Sequence, residues 1–445
     1  MTAAVKPFYR RRPILAGVMA LLGLILLLAG AAAIALVTVD FRPFLERRLS
    51  RTLDRPVQIG AFQIHWGDPL QVELHDLHVA NAGWGSSPDL ISVRDVTAAL
   101  DLRDLLAGRL YFRKLMIAEP IIVLERNAER IGNWRFASSL KTGAAPSIDR
   151  AHFPTLLDFT LQGGKITYRT SSGHILQIDL AQATIRTTDD DQPVLLAASG
   201  AYNGAALALR AQLQSFRDFR QADKPFGTDL VLSRQTAGLH FAGTMIDPLN
   251  VDGAEGPIDL KAARLNDFLS AFGTKLAINP AVDLTGRLKR DGSLWNLMAV
   301  KGELGGNALA GQARLQEGAR GQPDDIAVEA SFKTLDLGNL LATGAQQKES
   351  AGGTDWLDQR LDTPDKTAPR LAANLVAEHV SYGGLTFDDV DLATRLAPGE
   401  IKLENSRASF AGIRLHLGGG LTPATEGGRL AASLMLDQAD AATLV

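Results

Sequence analysis

His75 and His78 stand three residues apart, a spacing at which two imidazoles can hold one metal ion if they share a face. Their neighbours Leu74, Leu77 and Val79 are strand-like, and on a strand residues three apart point to opposite faces. The pair therefore reads as two solvated or edge histidines. Asp189, Asp190 and Asp191 form an acidic run beside Pro193. The run reads as a solvated turn, with cation binding as the sharper alternative. Asp388, Asp389 and Asp391 fall on strand-like sequence, where a carboxylate dyad would need a pocket that the sequence does not announce. The chain has no cysteine, which excludes thiolate nucleophiles, disulfides and cysteine-ligated metal centres. A nucleophile elbow, a phosphate-binding loop and a dinucleotide fingerprint are also missing. The expectation is a protein that is not an enzyme, with no catalytic, cofactor or metal site.

The elements that carry these residues follow an uncharged run from Ile14 to Val39, itself preceded by Lys6, Arg10, Arg11 and Arg12. At about 1.5 Å per residue a helix of that length crosses a hydrocarbon core with some tilt. Ala31, Ala33 and Ala35 offer a signal-peptide cleavage pattern instead, but the apolar run continues past them to Val39. Both readings export the rest of the chain; the longer run favours an anchor. The basic N-tail favours a cytoplasmic N-terminus, although Arg42, Arg47, Arg48 and Arg51 nearly balance it. A net charge of −3, with 46% hydrophobic and 21% charged residues, fits a globular chain and argues against nucleic acid as a partner.

Phe41, Phe44, Leu45, Leu49 and Leu53 recur at three- and four-residue intervals, which predicts a short amphipathic helix just outside the membrane. Such a helix either caps the domain behind it or rests on anionic headgroups through Arg47, Arg48 and Arg51. Beyond Val57 the period becomes two. Examples are Leu207 to Leu213, Val282 to Leu288, Ile326 to Phe332 and Leu430 to Leu436. The fold class is mostly β: antiparallel strands, stacked as hairpins, with one apolar and one polar face. Gly163-Gly164, Asn203-Gly204, Asp291-Gly292, Gly305-Gly306-Asn307 and Gly383-Gly384 are the expected turns. A helix is expected from Lys261 to Phe272 and a helical turn from Asp104 to Leu110. The polar stretch near Ala342 to Arg370 reads as a flexible insertion, with a helical turn at Trp356 to Leu361. The expected segments are a tail 1–13, the membrane helix 14–39, an N-terminal segment 40–140, stacked hairpins 141–341, the insertion 342–370 and C-terminal hairpins 371–445.

Several short motifs carry a resemblance. They are Val39-Asp40-Phe41-Arg42-Pro43, Leu53-Asp54-Arg55-Pro56-Val57-Gln58-Ile59, Leu105 to Leu110, Leu115 to Pro120, Ile121 to Glu125 and Gly132-Asn133-Trp134. In this order they resemble the AsmA family of bacterial envelope proteins, with Asp54 standing where the family usually has glycine. Leu284 to Leu288, Trp295 to Leu297 and Gly302 to Leu315 resemble its later hairpins more loosely. The resemblance implies a bacterial inner-membrane anchor and a long, curved, periplasmic β-sheet whose apolar groove carries lipid, and a link to outer-membrane assembly. It implies no catalytic residues.

An unclosed sheet leaves its apolar face in a trough for acyl chains, whereas a closed sandwich buries the same residues; alternation alone fits both. On the trough reading Leu309, Ala313 and Leu315 line the lipid path. The expected function is handling of phospholipid or glycolipid in the periplasm. The alternatives are a non-transporting scaffold for outer-membrane assembly components and an exported enzyme. The topology has a direct test, because the chain lacks cysteine. In cells with a permeabilised outer membrane, Ser172→Cys should react with a membrane-impermeant thiol reagent and Thr2→Cys should stay protected. The reverse pattern contradicts the assigned orientation.

Overall fold

The computed structural model describes residues 42–127, 132–134, 150–169, 175–249, 251–270, 278–318, 322–340, 369–423 and 428–437. The run Ile14–Val39, Phe41, the Trp356 to Leu361 turn and nearly all of the 342–370 insertion lie outside these residues. Among the described residues no helix is long and apolar enough to cross a membrane. The described strands form one large mixed sheet of 22 strands, with a few short helices. Two compact units divide the chain. The first comprises Met1–Arg234, Thr244–Val251 and Ala271–Gly273; the second comprises Gln235–Gly243, Asp252–Ser270 and Thr274–Val445.

The first unit opens with α1 (Arg42–Leu53), then β1 (Val57–His65), β2 (Leu70–Ala80) and β3 (Asp89–Leu100). Next come α2 (Leu102–Leu106), β4 (Tyr111–Ala118), β5 (Ile121–Glu125), β6 (Thr155–Leu156) and β7 (Asp158–Arg169). It continues with β8 (Ile175–Arg186), β9 (Val194–Tyr202), β10 (Ala205–Leu213), α3 (Phe216–Phe219) and β11 (Phe226–Arg234). Leu45, Leu49 and Leu53 are buried in the same cluster as Ile59, Leu74, Val93 and Ile117, so α1 covers a closed core. Asp54 ends this helix with φ +50°, the left-handed geometry that glycine adopts without steric cost. The turn expected at Asp104 to Leu110 is instead α2, which starts earlier because Asp101 caps it by accepting from the Arg103 and Asp104 amides.

Alternation in this unit does not run unbroken. Leu74 and Leu77 are both buried, as are Val93 and Val96. Strands β1, β2, β3, β7 and β8 change phase by one residue at a level marked by Gly60, Asp76, Arg94, Gly163 and Ala181, and Glu119, between β4 and β5, stands at the same level. Asp76, Glu119 and Gly163 hold φ values of 51°, 49° and 66° there. This corrects two expectations. His75 and His78 fall on the same, more exposed side, because the phase change lies between them. Gly163-Gly164 is no turn but the point where β7, having run beside β4, passes the Glu119-Pro120 corner and goes on beside β5.

The second unit holds most of β12 (Ala237–Met245), then β13 (Glu255–Ala262), α4 (Leu265–Leu269), β14 (Val282–Asp291), β15 (Leu294–Leu304) and β16 (Asn307–Gln316). It goes on with β17 (Asp325–Asp336), β18 (Arg370–Tyr382), β19 (Leu385–Ala397), β20 (Glu400–Phe410), β21 (Ile413–Pro423) and β22 (Gly428–Asp437). The helix expected from Lys261 to Phe272 starts later, because Lys261 and Ala262 still pair with β14 as strand, and Phe272 lies outside the described residues. Hairpins dominate, and Asn203-Gly204 in the first unit and Gly383-Gly384 here turn with both residues at positive φ. The wholly antiparallel expectation fails at four pairings, β4–β6, β4–β7, β5–β7 and β17–β18, which are parallel. A parallel neighbour cannot follow a tight turn. The long connections after Glu125 and after Asp336 are what those pairings require.

Gly311 on β16 marks a close approach of strands: a Cβ there would lie 2.2 Å from the Glu329 carbonyl oxygen on β17. Gly311→Ala should therefore destabilise the protein by about 1–3 kcal/mol. Gly238→Ala, where a Cβ meets nothing within 4 Å, should change stability by no more than ~0.5 kcal/mol. Denaturant midpoints of the two variants check this.

Candidate functional site

Register makes the second unit two-faced. Residues directly opposite one another in a ladder share a face. Leu260, Leu284, Gly302, Leu309, Phe332, Ala377 and Val390 form one continuous row across β13 to β19. Trp295, Leu315, Ile326, Leu371, Leu396, Ile401, Leu421 and Leu430 form another, from β15 to β22. Ala313 lies in a third row, between Leu297 and Val328. The structure thus places Leu309, Ala313 and Leu315 on one apolar face.

The cover over that face is partial. Leu309, Ala313 and Leu315 are half-buried, while Ala310, Gln312 and Arg314 on the other side are exposed. A buried cluster forms where Phe332, Leu335, Ala377, Val380, Val390 and Ala408 meet. On β22 the same face is bare: Leu430, Leu434 and Leu436 are 59%, 61% and 48% exposed. Exposed apolar surface costs about 25 cal/mol per Å² relative to burial, so a bare face of this extent favours an apolar occupant.

The opposite face is a ladder of ion pairs and histidine–carboxylate pairs. Lys261 meets Asp283 at 2.5 Å and Arg287 meets Glu255 at 3.1 Å. Further along, Arg407 meets Asp391 at 2.6 Å, His379 meets Asp388 at 2.7 Å and His416 meets Asp437 at 2.9 Å. Asp388 and Asp391 thus have separate basic partners and form no carboxylate dyad. A depression of about 890 Å³ lies on this face, lined by Gln312, Glu329, Asn374, Asp391, Arg407 and His416. In the first unit His75 and His78 likewise pair separately, with Asp95 at 2.7 Å and Asp89 at 2.8 Å. Among the described residues no three His, Cys, Asp or Glu side chains converge on a metal site.

The acidic run is not a plain solvated turn. Asp190 accepts from Arg220 Nη1 at 3.0 Å and Nη2 at 2.8 Å, and from the Thr155 hydroxyl. Arg217 approaches Asp191 at 3.6 Å, and the Tyr111 hydroxyl donates to Asp189 at 3.0 Å. These groups line a depression of about 970 Å³ at the strand ends of the first unit. Burial opposes ionisation of Asp190, but hydrogen bonds from Arg220 and Thr155 outweigh it and hold the carboxyl below its usual range. Burial and then Asp189 push the Tyr111 hydroxyl up to about 12. Sequence periodicity carries no signal for a pair such as Asp190 and Arg220.

The short motifs near the N-terminus meet in space. Arg55 Nη2 donates to the Asn133 carbonyl at 3.2 Å. The fully buried Asn133 accepts from the Glu125 amide at 2.9 Å and donates to Val123 O and to Asn81 Oδ1. Trp134 packs its edge on Tyr168 at 6.0 Å. Residues 12–192 match the family model of the AsmA family. Over that segment the chain is similar to the AsmA family. No curated protein matches the chain. The AsmA match takes in α1, β1 to β8 and this Arg55–Asn133 clasp; the second unit lies beyond it.

Asp190→Asn leaves Arg220 partly buried without its counter-charge and should cost about 1–3 kcal/mol. The sign of the pH dependence follows from the depressed carboxyl. The contribution is complete above the unfolded pKa, about 3.9, and fades as pH falls through the lower folded value. Thermal melts of both proteins should therefore differ at neutral pH and converge in acid.

Proposed function

We propose that this protein is held in a bacterial inner membrane by Ile14–Val39 and handles phospholipid or glycolipid along the apolar sheet face on the periplasmic side. The observation that carries the reading is the pair of continuous apolar rows, partly covered and in places buried on β13 to β21 and bare on β22, set against an ion-paired opposite face. Acyl chains are the chemical match, since they satisfy a long apolar surface with no polar groups to meet. Similarity to the AsmA family and a large β-sheet fit an envelope role. On this reading the protein is a carrier and not an enzyme, and it needs no cofactor.

A second reading, a scaffold for outer-membrane assembly components, has one observation in its favour. Among the described residues β22 pairs only with β21, so its outer edge offers backbone groups as well as leucines to a partner strand.

The two faces give the test. Leu309→Asp puts a charge on the apolar face, where it obstructs a passing methylene chain. Gln312→Asp puts the same charge on the exposed face. Both variants should fold, and only Leu309→Asp should lose lipid captured by photo-crosslinking. Equal lipid capture by both removes this face from any lipid path. Failure of Leu309→Asp to fold favours a closed core, because a sealed, unpaired charge is severely destabilising.

A further inference from the structure

The first unit has an end built for a membrane surface. Ser50 Oγ accepts from the Val57 amide at 2.9 Å, Glu46 Oε1 accepts from the Ile59 amide at 2.9 Å, and Arg42 Nη1 donates to the Gly60 carbonyl at 2.9 Å. Going backward along α1 therefore means going forward along β1. The helix N-terminus points toward the end of β1 where Trp66 follows His65. At that end β2 begins and β3 finishes, with Leu70 opposite Leu100, and α2 follows directly. Arg113 ties the two corners together, reaching Asp68 at 3.0 Å and Asp101 at 2.5 Å.

Two large apolar side chains from two segments are exposed there: Trp66 by 57% and Leu106 by 75%. The core contact of α2 is already supplied by Leu105, the residue before Leu106. Arg103 and Arg109, on and after α2, are exposed as well. Exposed tryptophan and leucine accompanied by arginine is the composition of a surface that sits at the headgroup level of an anionic leaflet. Only Asp40 and Phe41 separate Arg42 from the apolar run that ends at Val39.

We infer that Trp66 and Leu106 form a membrane-contact footprint that seats this end of the first unit on the phospholipid surface. The occupant is the leaflet from which the anchor emerges, so the inference rests on the anchoring proposed above. Seating fixes the strands of the first unit upright against the bilayer, with Trp84 at the opposite end of β2, about 30 Å away. The depression lined by Arg109, Arg113, Arg217 and Arg220 then opens at headgroup level.

The absence of cysteine makes the test direct. Single variants Trp66→Cys, Leu106→Cys, Trp84→Cys and Leu26→Cys of the full chain are labelled with a bimane fluorophore. They are reconstituted in vesicles of phosphatidylethanolamine and phosphatidylglycerol. Lipids carrying a nitroxide near the headgroup should quench the probes at positions 66 and 106 several-fold more than the probe at 84. Lipids with a deep nitroxide should quench the probe at 26. Quenching at 26 with none at 66 and 106 beyond that at 84 overturns the footprint and leaves the anchor standing. No quenching at 26 overturns the anchor, and the footprint with it. Shielding of 66 and 106 only when another protein is added assigns the patch to a protein partner and also overturns the footprint.

Discussion

A sheet with one apolar face cannot let one strand slip alone. A shift of one residue turns every side chain of that strand over, so leucines would face water and charges the core. In the first unit β1, β2, β3, β7 and β8 slip, and the slip survives because the neighbours slip at the same level, at the corner between β4 and β5 as well. The row from Gly60 to Ala181 is therefore one feature shared by several strands. It explains left-handed backbone at Asp76 and Glu119, which isolated strands would avoid. Arg94 and Glu119, neighbours on that row, are joined by a salt bridge.

The same matching organises the second unit. Because the rows stay in step from β13 to β22, apolar residues gather on one side and ion pairs on the other. Exposed pairs such as Lys261–Asp283 add little stability each. Their effect is to keep the polar side wet and unattractive to a second sheet. A strand with charges on one side and leucines on the other has a single way to lie.

Much of this was legible in the residues. Alternation from Leu207 to Leu213 or from Ile326 to Phe332 reads directly as strand, and Asn203-Gly204 and Gly383-Gly384 read directly as tight turns. The apolar set Leu309, Ala313 and Leu315 also follows from period two. What escaped depends on partners far along the chain. The phase change at Asp76 makes sense only beside Gly60 and Arg94. Asp190 looks solvated until Arg220 arrives from thirty residues on. Lys261 looks like the start of a helix until Asp283 pairs with it as strand.

The parallel seam between β17 and β18 bears on how such a chain is made. From β13 to β17, consecutive strands in the ladder are consecutive in sequence, and so are those from β18 to β22. A nascent chain can close each of those hairpins soon after its second strand appears, since only short loops have to be ordered. The seam cannot wait its turn in that way: β17 stands with an open edge until the whole connection from Asp336 to Arg370 has been delivered. An open edge is a template for wrong pairing. For a chain emerging N-terminus first, that interval is the moment of greatest exposure to misassembly, and the place where a chaperone would find work.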